Sequence, residues 1–173
     1  KSFPDYMKTY FFTPLKMGGT QLLPYKERRL NNMLDTYKWD GKDKYTVTRC
    51  DFMVGDGGVF THIKDLRKWS KFLAGKSARY GTELSPYFYA RDTKGYSHGL
   101  KMGNGAKVCG RNTRVHDGSW RGARAQMIHV PNLNLFAYVL CNGAKCGKTI
   151  TKAAREMLKV YFNYQTDDGQ SCN

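Results

Sequence analysis

Hydrophobic side chains recur every three to four residues in three stretches of the chain, which is the spacing of amphipathic helices. This pattern predicts helices over residues 3–12, 61–75 and 147–162. Thr61 is the expected N-cap of the second helix, and Gly75 is its expected end. The side chains expected to face the interior are Ile63, Leu66, Trp69, Phe72 and Leu73 in the second helix, and Ile150, Ala153, Ala154, Met157, Leu158 and Phe162 in the third.

Other stretches either alternate between apolar and polar residues or are apolar throughout, as in β-strands. The run at 135–142 is apolar almost throughout, so we expect this strand to be buried on both faces. The predicted strands are 44–52, 96–104, 106–109, 121–130 and 135–142, with an Asn-Gly turn at 104–105 between the second and the third.

The order of these elements indicates the fold class. The last two strands are joined by the short turn "PNLN" and are followed by the terminal helix, as in an antiparallel hairpin that a helix covers. No internal repeat, low-complexity tract or domain boundary interrupts the chain. We therefore expect a single α+β domain over residues 1–173, in which an antiparallel sheet is flanked by N- and C-terminal helices.

Basic residues outnumber acidic ones, with 29 Lys and Arg against 14 Asp and Glu and a net charge of +15. A charge of this size favours contact with an acidic partner such as nucleic acid, a glycan or anionic lipid. The basic residues are scattered, however, and the sequence has no RNA-binding aromatic motif, zinc-finger spacing or basic-zipper pattern. No apolar run approaches the roughly 20 residues that cross a membrane, so no membrane span is expected.

Five cysteines stand at positions 50, 109, 141, 146 and 172. Cys141 and Cys146 enclose Asn-Gly-Ala-Lys, a segment that a small disulfide loop would close. In an oxidising compartment the odd count leaves one thiol free or bridged to another chain, whereas in the cytosol all five would be reduced. We expect a secreted or extracellular protein. No Cys and His set has zinc-site spacing, and we expect no metal and no cofactor.

The stretch "VHDGSWRGARAQMIHVP" at 115–131 places a histidine, an acid and a glycine side by side at the mouth of a predicted strand. In most proteins such a tripeptide is an ordinary surface turn, and the alternative is one wall of an active site. Ser119 is not expected to act as a nucleophile with His116 as its base, because strand side chains alternate between opposite faces.

Four segments decide between these interpretations: "KSFPDYMKTYFFTPLKMGGT", "GDGGVFTHIKDLRKWSKFL", "YSHGLKMG" and "HDGSWRGARAQMIHVPNLNLFAYVLCN". In this order they resemble the serine β-lactamase-like hydrolases, a group that includes class C β-lactamases, D-aminopeptidases and penicillin-binding-protein relatives. The resemblance covers most of the chain and corresponds to the C-terminal part of the family's fold. It implies a hydrolase that acts on an amide or ester through an acyl-enzyme.

The resemblance also implies which residues form the site. It places His116, Asp117 and Gly118 at the family's third motif, where relatives carry Lys-Thr-Gly or His-x-Gly beside the nucleophile. His116 would supply a charge or a hydrogen bond near the substrate, Gly118 would let the substrate backbone approach, and the Ser119 N–H would supply half of an oxyanion hole. The substrate-binding positions that it implies are Asp117, Gly122, Gly57 and Gly58, of which Gly122 permits a tight strand bend and the last two shape the loop before the second helix.

The chain departs from the family at the catalytic serine. No serine is followed three residues later by lysine, and Thr13 and Lys16 have that spacing with the wrong first residue. The only Tyr-x-Asn, at 161–163, ends the last helix, where the family has no catalytic group. The chain begins "KSFPDYM", without an initiator Met or a signal-like segment, as expected of a mature or cut product.

Two hypotheses account for this departure. In the first, the N-terminal half of the fold and its nucleophile belong to a companion chain, and the two chains together form a serine hydrolase. In the second, the chain is a non-catalytic cationic binding or structural protein with a degenerate β-lactamase-like fold, which holds an acidic partner through its charge of +15.

Overall fold

The computed structural model describes residues 1–23, 34–39, 41, 45–47, 55, 57–76, 95–97, 99–120, 122–165 and 172. Most of the predicted strand 44–52 lies outside these residues, as does Cys50. Within the described ranges, no helix combines the length and the apolar character that crossing a membrane requires.

Three helices form in the stretches where the hydrophobic spacing predicts them. Ser2 caps the first helix, because its hydroxyl oxygen accepts the N–H of Asp5. Gly75 follows the second helix with a φ of 71°, a left-handed conformation that suits a helix end. The helices are α1 (Phe3–Met7), which continues as a π-helical turn (Lys8–Phe12), α2 (Ile63–Leu73) and α3 (Gly147–Gln165).

The N-cap of α2 differs from the prediction by one residue. His62 holds the cap position, and its Nδ1 accepts the N–H of Asp65 at 3.3 Å. The Thr61 hydroxyl is instead hydrogen-bonded to the Thr20 hydroxyl at 2.7 Å. The prediction of Thr61 was wrong because a partner distant in the sequence engages its side chain.

The described strands form two short ribbons and one central sheet. In the ribbons β1 (Gln21–Leu22) pairs with β4 (Val59–Phe60) and β2 (Tyr37–Trp39) pairs with β3 (Tyr45–Val47), both antiparallel. The central sheet is antiparallel and follows chain order: β5 (Tyr96–Ser97), β6 (Leu100–Val108), β7 (Arg111–Trp120), β8 (Ala123–Val130) and β9 (Leu135–Cys141).

Two turns of the central sheet lie elsewhere than predicted. The expected strand 96–104 is interrupted at Gly99, whose φ of 83° allows the chain to turn from β5 into β6. The Asn-Gly pair at 104–105 lies inside β6, and the chain turns at Cys109 and Gly110 with φ values of 50° and 72°. Two successive residues with positive φ make a tight turn that matches the twist of a hairpin, so these two residues replace the predicted turn.

The main core lies between α3 and one face of the central sheet. Ala154, Leu158 and Phe162 of α3 are buried there, as the helical spacing predicts. Met157 was also expected in this interior, but its side chain is 54% exposed because it lies on the flank of the helix. The sheet contributes Val108, Ile128, Val130 and Ala137 to this core.

The apolar strand β9 is only partly buried, contrary to the prediction. Ala137 is buried, whereas Leu140 is 42% exposed. The cause is the position of β9 at one end of the sheet, where β8 is its single neighbour among the described strands.

Ile63, predicted to be interior, is 56% exposed at the first position of α2.

A buried carboxylate joins α2 to the segment before β1. Asp65 is 1% exposed and accepts hydrogen bonds from the Gly19 N–H and the Thr20 hydroxyl, each at 2.9 Å, and from Lys68 Nζ at 2.7 Å. Burial alone raises the pKa of Asp65, but the bonds from Lys68, Thr20 and Gly19 together outweigh it and hold the pKa below the usual 3.8. The ionised carboxylate therefore fixes the connection between α1 and β1 onto α2.

Two cysteine pairs are within disulfide distance. Cys141 and Cys146 close the predicted small loop, with their Cα atoms 6.4 Å apart. Cys109 and Cys172, with Cα atoms 4.8 Å apart, link the C-terminal tail to the turn between β6 and β7. No local pattern in the sequence indicates this second pair, because 63 positions separate its members.

Candidate functional site

The predicted site residues His116, Asp117, Gly118 and Ser119 lie on β7, the middle strand of the central sheet. Val115 packs against the core beneath α3. Because side chains alternate along a strand, Asp117 and Ser119 project on the same side as Val115, while His116 and Gly118 belong to the opposite side. The structure therefore separates Ser119 from His116, in agreement with the expectation that they are not a nucleophile and its base.

The side of the sheet that carries His116 faces α2. His116 pairs with Met127, which pairs with Tyr138, so the three side chains form one row across the sheet. Ser70 of α2 donates a hydrogen bond to the Tyr138 hydroxyl at 3.0 Å, which places α2 over this row. The Tyr-x-Asn sequence at 161–163 belongs to α3, so the sheet separates it from His116.

The Gln126 side chain reveals how the backbone of β7 is oriented. Its single Nε2 donates to the carbonyl oxygens of both His116, at 3.0 Å, and Met127, at 3.1 Å. Both carbonyls must then point into the gap between β7 and β8, which makes His116 and Met127 a hydrogen-bonded pair of the ladder. Because this direction alternates along a strand, the N–H groups of Asp117 and Ser119 point to the other side of β7.

On that other side, β6 pairs with β7 along only part of its length. The pairing of the two strands runs from Val108 and Arg111 to Lys101 and Val115. Beyond Val115, no strand in the described part of the chain pairs with this side of β7. Among the described strands, none pairs with the edge of β7 to which the N–H and C=O of Ser119, an exposed residue, point.

Polar side chains from neighbouring strands contact the site residues. The Tyr96 hydroxyl is 3.1 Å from Nε2 of His116, and the two ring centroids are 6.2 Å apart. Lys101 Nζ donates to Asp117 at 3.0 Å, but both side chains are more than half exposed, so this ion pair contributes little to stability. No sequence pattern indicates Tyr96, Lys101 or Gln126 as site residues, because only the register of the sheet brings them to β7.

The four predicted glycines have different structural settings. A Cβ added to Gly118 would lie 3.5 Å from the Ala125 Cβ, which is ordinary contact, so packing does not require glycine there. Gly122 lies in the turn between β7 and β8 with a φ of 85°, and backbone geometry accounts for it. Gly58 has a φ of 82°, and a Cβ on Gly57 would meet no atom within 4 Å. Gly57 and Gly58 directly precede β4, away from the predicted motif in sequence.

His129 is a second histidine of the sheet, and its environment is that of a core residue. It is 1% exposed and stacks on Phe136 with ring centroids 3.9 Å apart. Burial, assisted by the charge of Arg114, lowers the pKa of His129 from 6.5 to about 4. At neutral pH the ring is therefore uncharged.

This lowered pKa predicts that the protein loses stability in mild acid. Between pH 6.5 and about 4 the unfolded chain protonates His129 while the folded chain does not, so protons favour unfolding. The stability that the uncharged His129 ring contributes is complete above pH 6.5, and about 2 kcal/mol of it should be lost between about pH 7 and pH 5. Chemical denaturation at the two pH values measures this loss. His129→Phe keeps an aromatic ring against Phe136 but cannot titrate, and an equally steep loss in that variant would contradict the prediction.

Comparison with known protein families then identifies the chain. A family model described as Beta-lactamase matches residues 1–162. The chain belongs to the beta-lactamase family. No curated protein matches it closely enough to narrow this assignment. The sequence-based prediction of the family and of its α+β fold is thus confirmed, with an antiparallel sheet and helices as expected.

Two solved structures of similar fold agree with the family assignment. The octameric penicillin-binding protein homologue from Pyrococcus abyssi is 18% identical, with a TM-score of 0.77 over 94% of this chain and 38% of that one. The D-stereospecific amidohydrolase from Streptomyces sp. is 12% identical, with a TM-score of 0.63 over 89% of this chain and 48% of that one. At these identities the similarity is one of fold, and the chain spans less than half the length of either protein.

Proposed function

We propose that this chain is the C-terminal half of a serine hydrolase of the beta-lactamase family, which acts on an amide or ester through an acyl-enzyme. The observation that carries the proposal is the open edge of β7, where the Ser119 N–H lies three residues from the exposed side chain of His116. Acyl transfer requires a donor directed at the oxygen on which negative charge develops, and a backbone N–H at a sheet edge meets that need. The nucleophile would come from a segment with Ser-x-x-Lys, which residues 1–173 lack.

Each catalytic residue has a definite part in this proposal. The Ser119 N–H donates to the oxyanion of the tetrahedral intermediate, and the companion segment supplies the second donor. His116 offers a ring N–H to the substrate, and Gly118 leaves the surface between His116 and Trp120 open to the acyl group. Collapse of the tetrahedral intermediate expels the amine or alcohol and leaves the acyl-enzyme, which water then hydrolyses to the carboxylic acid and the free serine. The substrate contacts of Asp117, Gly122, Gly57 and Gly58 stay predictions.

The exposed flank of α3 supports a companion that completes the domain. Met157, Val160, Tyr161 and Tyr164 recur at helical spacing and are 54%, 55%, 40% and 85% exposed. Arg155, on the other flank, donates to the Lys107 carbonyl of β6, so the apolar flank lies toward β9. Exposed apolar surface of this kind is typical of an interaction site.

The companion is testable by purification from the native source. We expect a second chain, or an upstream segment of a longer precursor, that carries Ser-x-x-Lys and Tyr-x-Asn and stays bound without denaturant. A homogeneous chain of 19.8 kDa with no such companion would contradict the proposal. The two cysteine pairs support an extracellular location in the same proposal, because disulfides persist in oxidising compartments.

Gly118→Ala is expected to reduce labelling of the nucleophile while leaving the fold unchanged. The added methyl group meets Ala125 at an ordinary contact distance, so the free energy of unfolding should change by less than about 1 kcal/mol. On the site side of β7 the same methyl group obstructs the acyl group, and we expect a loss of about tenfold in the labelling rate. A time course of labelling with a fluorescent penicillin or a fluorophosphonate, quenched at successive times, measures this rate. Equal rates for the variant and the parent would remove Gly118 from the site.

A second candidate function follows from the charge on α3. Lys148, Lys152, Arg155 and Lys159 recur at helical spacing and form a basic stripe, within a chain of net charge +15. Such a stripe favours the alternative of a non-catalytic protein that holds an acidic polymer. Retention on heparin that weakens steeply with salt, together with no covalent labelling, would support this alternative. Retention that persists unchanged in high salt would exclude its electrostatic basis.

A further inference from the structure

The contact between Tyr96 and His116 carries an inference about the state of the site histidine. Tyr96 begins β5 and pairs with Lys101 of β6, which pairs with Val115 of β7. The tyrosine therefore comes from two strands away, and its hydroxyl ends 3.1 Å from Nε2 of His116. A partner on one ring nitrogen determines which edge of the imidazole remains open to a ligand.

Donor and acceptor rules allow two arrangements of this pair: the Tyr96 hydroxyl donates to a bare Nε2, or Nε2–H donates to the tyrosine oxygen. A neutral imidazole has one N–H and one bare nitrogen, and a phenol O–H donates readily to a bare ring nitrogen. When Tyr96 donates to Nε2, the ring hydrogen of His116 must lie on Nδ1. The neighbouring Asp117 carboxylate accepts a hydrogen bond from Lys101 Nζ at 3.0 Å.

We propose that Tyr96 is a positioning residue that holds His116 as its Nδ1–H tautomer and offers Nδ1–H to an acceptor oxygen of the substrate. The catalytic consequence rests on the proposed function: His116 acts as a hydrogen-bond donor and not as the base that deprotonates the serine. The tautomer is a property of this chain, so it is measurable whether or not the protein proves to be a hydrolase.

Two-bond nitrogen–proton NMR spectra of the native protein in mildly alkaline solution test the tautomer, with His116→Gln used to assign the signals. We expect the pattern of an Nδ1–H ring, and in Tyr96→Phe a shift toward the Nε2–H form that free histidine favours. Tyr10→Phe is the matched control, since Tyr10 is 37% exposed against 42% for Tyr96 and lies outside the site and the companion surface, and it should change nothing. An Nε2–H ring in the parent protein, or an unchanged pattern in Tyr96→Phe, would overturn the proposal.

A second readout separates this proposal from the proposed function. Loss of one neutral hydrogen bond should slow labelling at saturating reagent by about 3- to 10-fold in Tyr96→Phe, with little change in the half-saturating concentration. A tautomer change in a protein that is never labelled supports the role of Tyr96 and contradicts the hydrolase. Labelling without any tautomer change supports the hydrolase and contradicts the role of Tyr96.

Discussion

Replacing His116 with alanine is expected to slow labelling of the companion's serine by about 100-fold, because the site loses a positioned hydrogen-bond donor. The side chain is exposed on β7, so its removal should leave the thermal transition nearly unchanged. The measurement is the rate of labelling by a fluorescent penicillin or a fluorophosphonate, with the native companion present. A rate equal to that of the parent protein would show that His116 has no part in the reaction.

Asn112→Ala is the matched control for this prediction. Asn112 is exposed on the same strand and, by the alternation of side chains, on the same side of the sheet as His116. It lies at the opposite end of β7, within the part that β6 pairs. Its replacement should leave the labelling rate unchanged, and a loss comparable to that of His116→Ala would point to a general effect on the strand.

Asp65→Ala is expected to lower the free energy of unfolding by about 3 kcal/mol, the largest effect on stability that we predict. The substitution removes the acceptor of the Gly19 N–H and the Thr20 hydroxyl, and Thr20 is 5% exposed. A buried donor without a partner costs far more than an exposed one. Denaturant-induced unfolding of the two proteins at neutral pH measures the difference.

The pH dependence of this loss provides a check on its cause. The depressed pKa of Asp65 means that its contribution is complete above 3.8 and is lost as the pH falls below that value. The difference in the free energy of unfolding between the parent protein and Asp65→Ala should therefore decrease in strong acid. Glu156→Ala is the control, since Glu156 and Lys159 form an exposed ion pair worth at most about 1 kcal/mol. A loss in Asp65→Ala no larger than in this control would refute the role of the buried carboxylate.

Hydrophobic spacing predicted the three helices and the last two strands, because burial on one face leaves a period in the sequence, but it did not predict β7. It located α2 and α3 and the buried Leu158 and Phe162 correctly. It misplaced Met157, since the stripe of α3 that packs on the face of the sheet is narrower than its apolar residues suggest. It misplaced the turn after β6, since the sequence Cys-Gly at 109–110 indicates a turn with positive φ less strongly than an Asn-Gly pair does.

Only part of the site could be predicted from the sequence. The motif at 116–118 was visible through a family resemblance, and the family is confirmed. The residues that contact this motif could not be predicted, because Tyr96 and Gln126 reach His116 through strand register and not through sequence spacing. The open edge at Ser119 likewise depends on where β6 stops pairing with β7, which no local pattern reports.

Intact mass spectrometry of the native protein after incubation with a fluorophosphonate or a fluorescent penicillin tests the central claim most directly. The spectra are compared before and after reduction, so that disulfide-linked and non-covalent companions are told apart. We predict an adduct on a second chain or an upstream segment that carries Ser-x-x-Lys. A lone chain of 19.8 kDa that remains unlabelled would contradict the hydrolase and favour a fold used for binding through its charge.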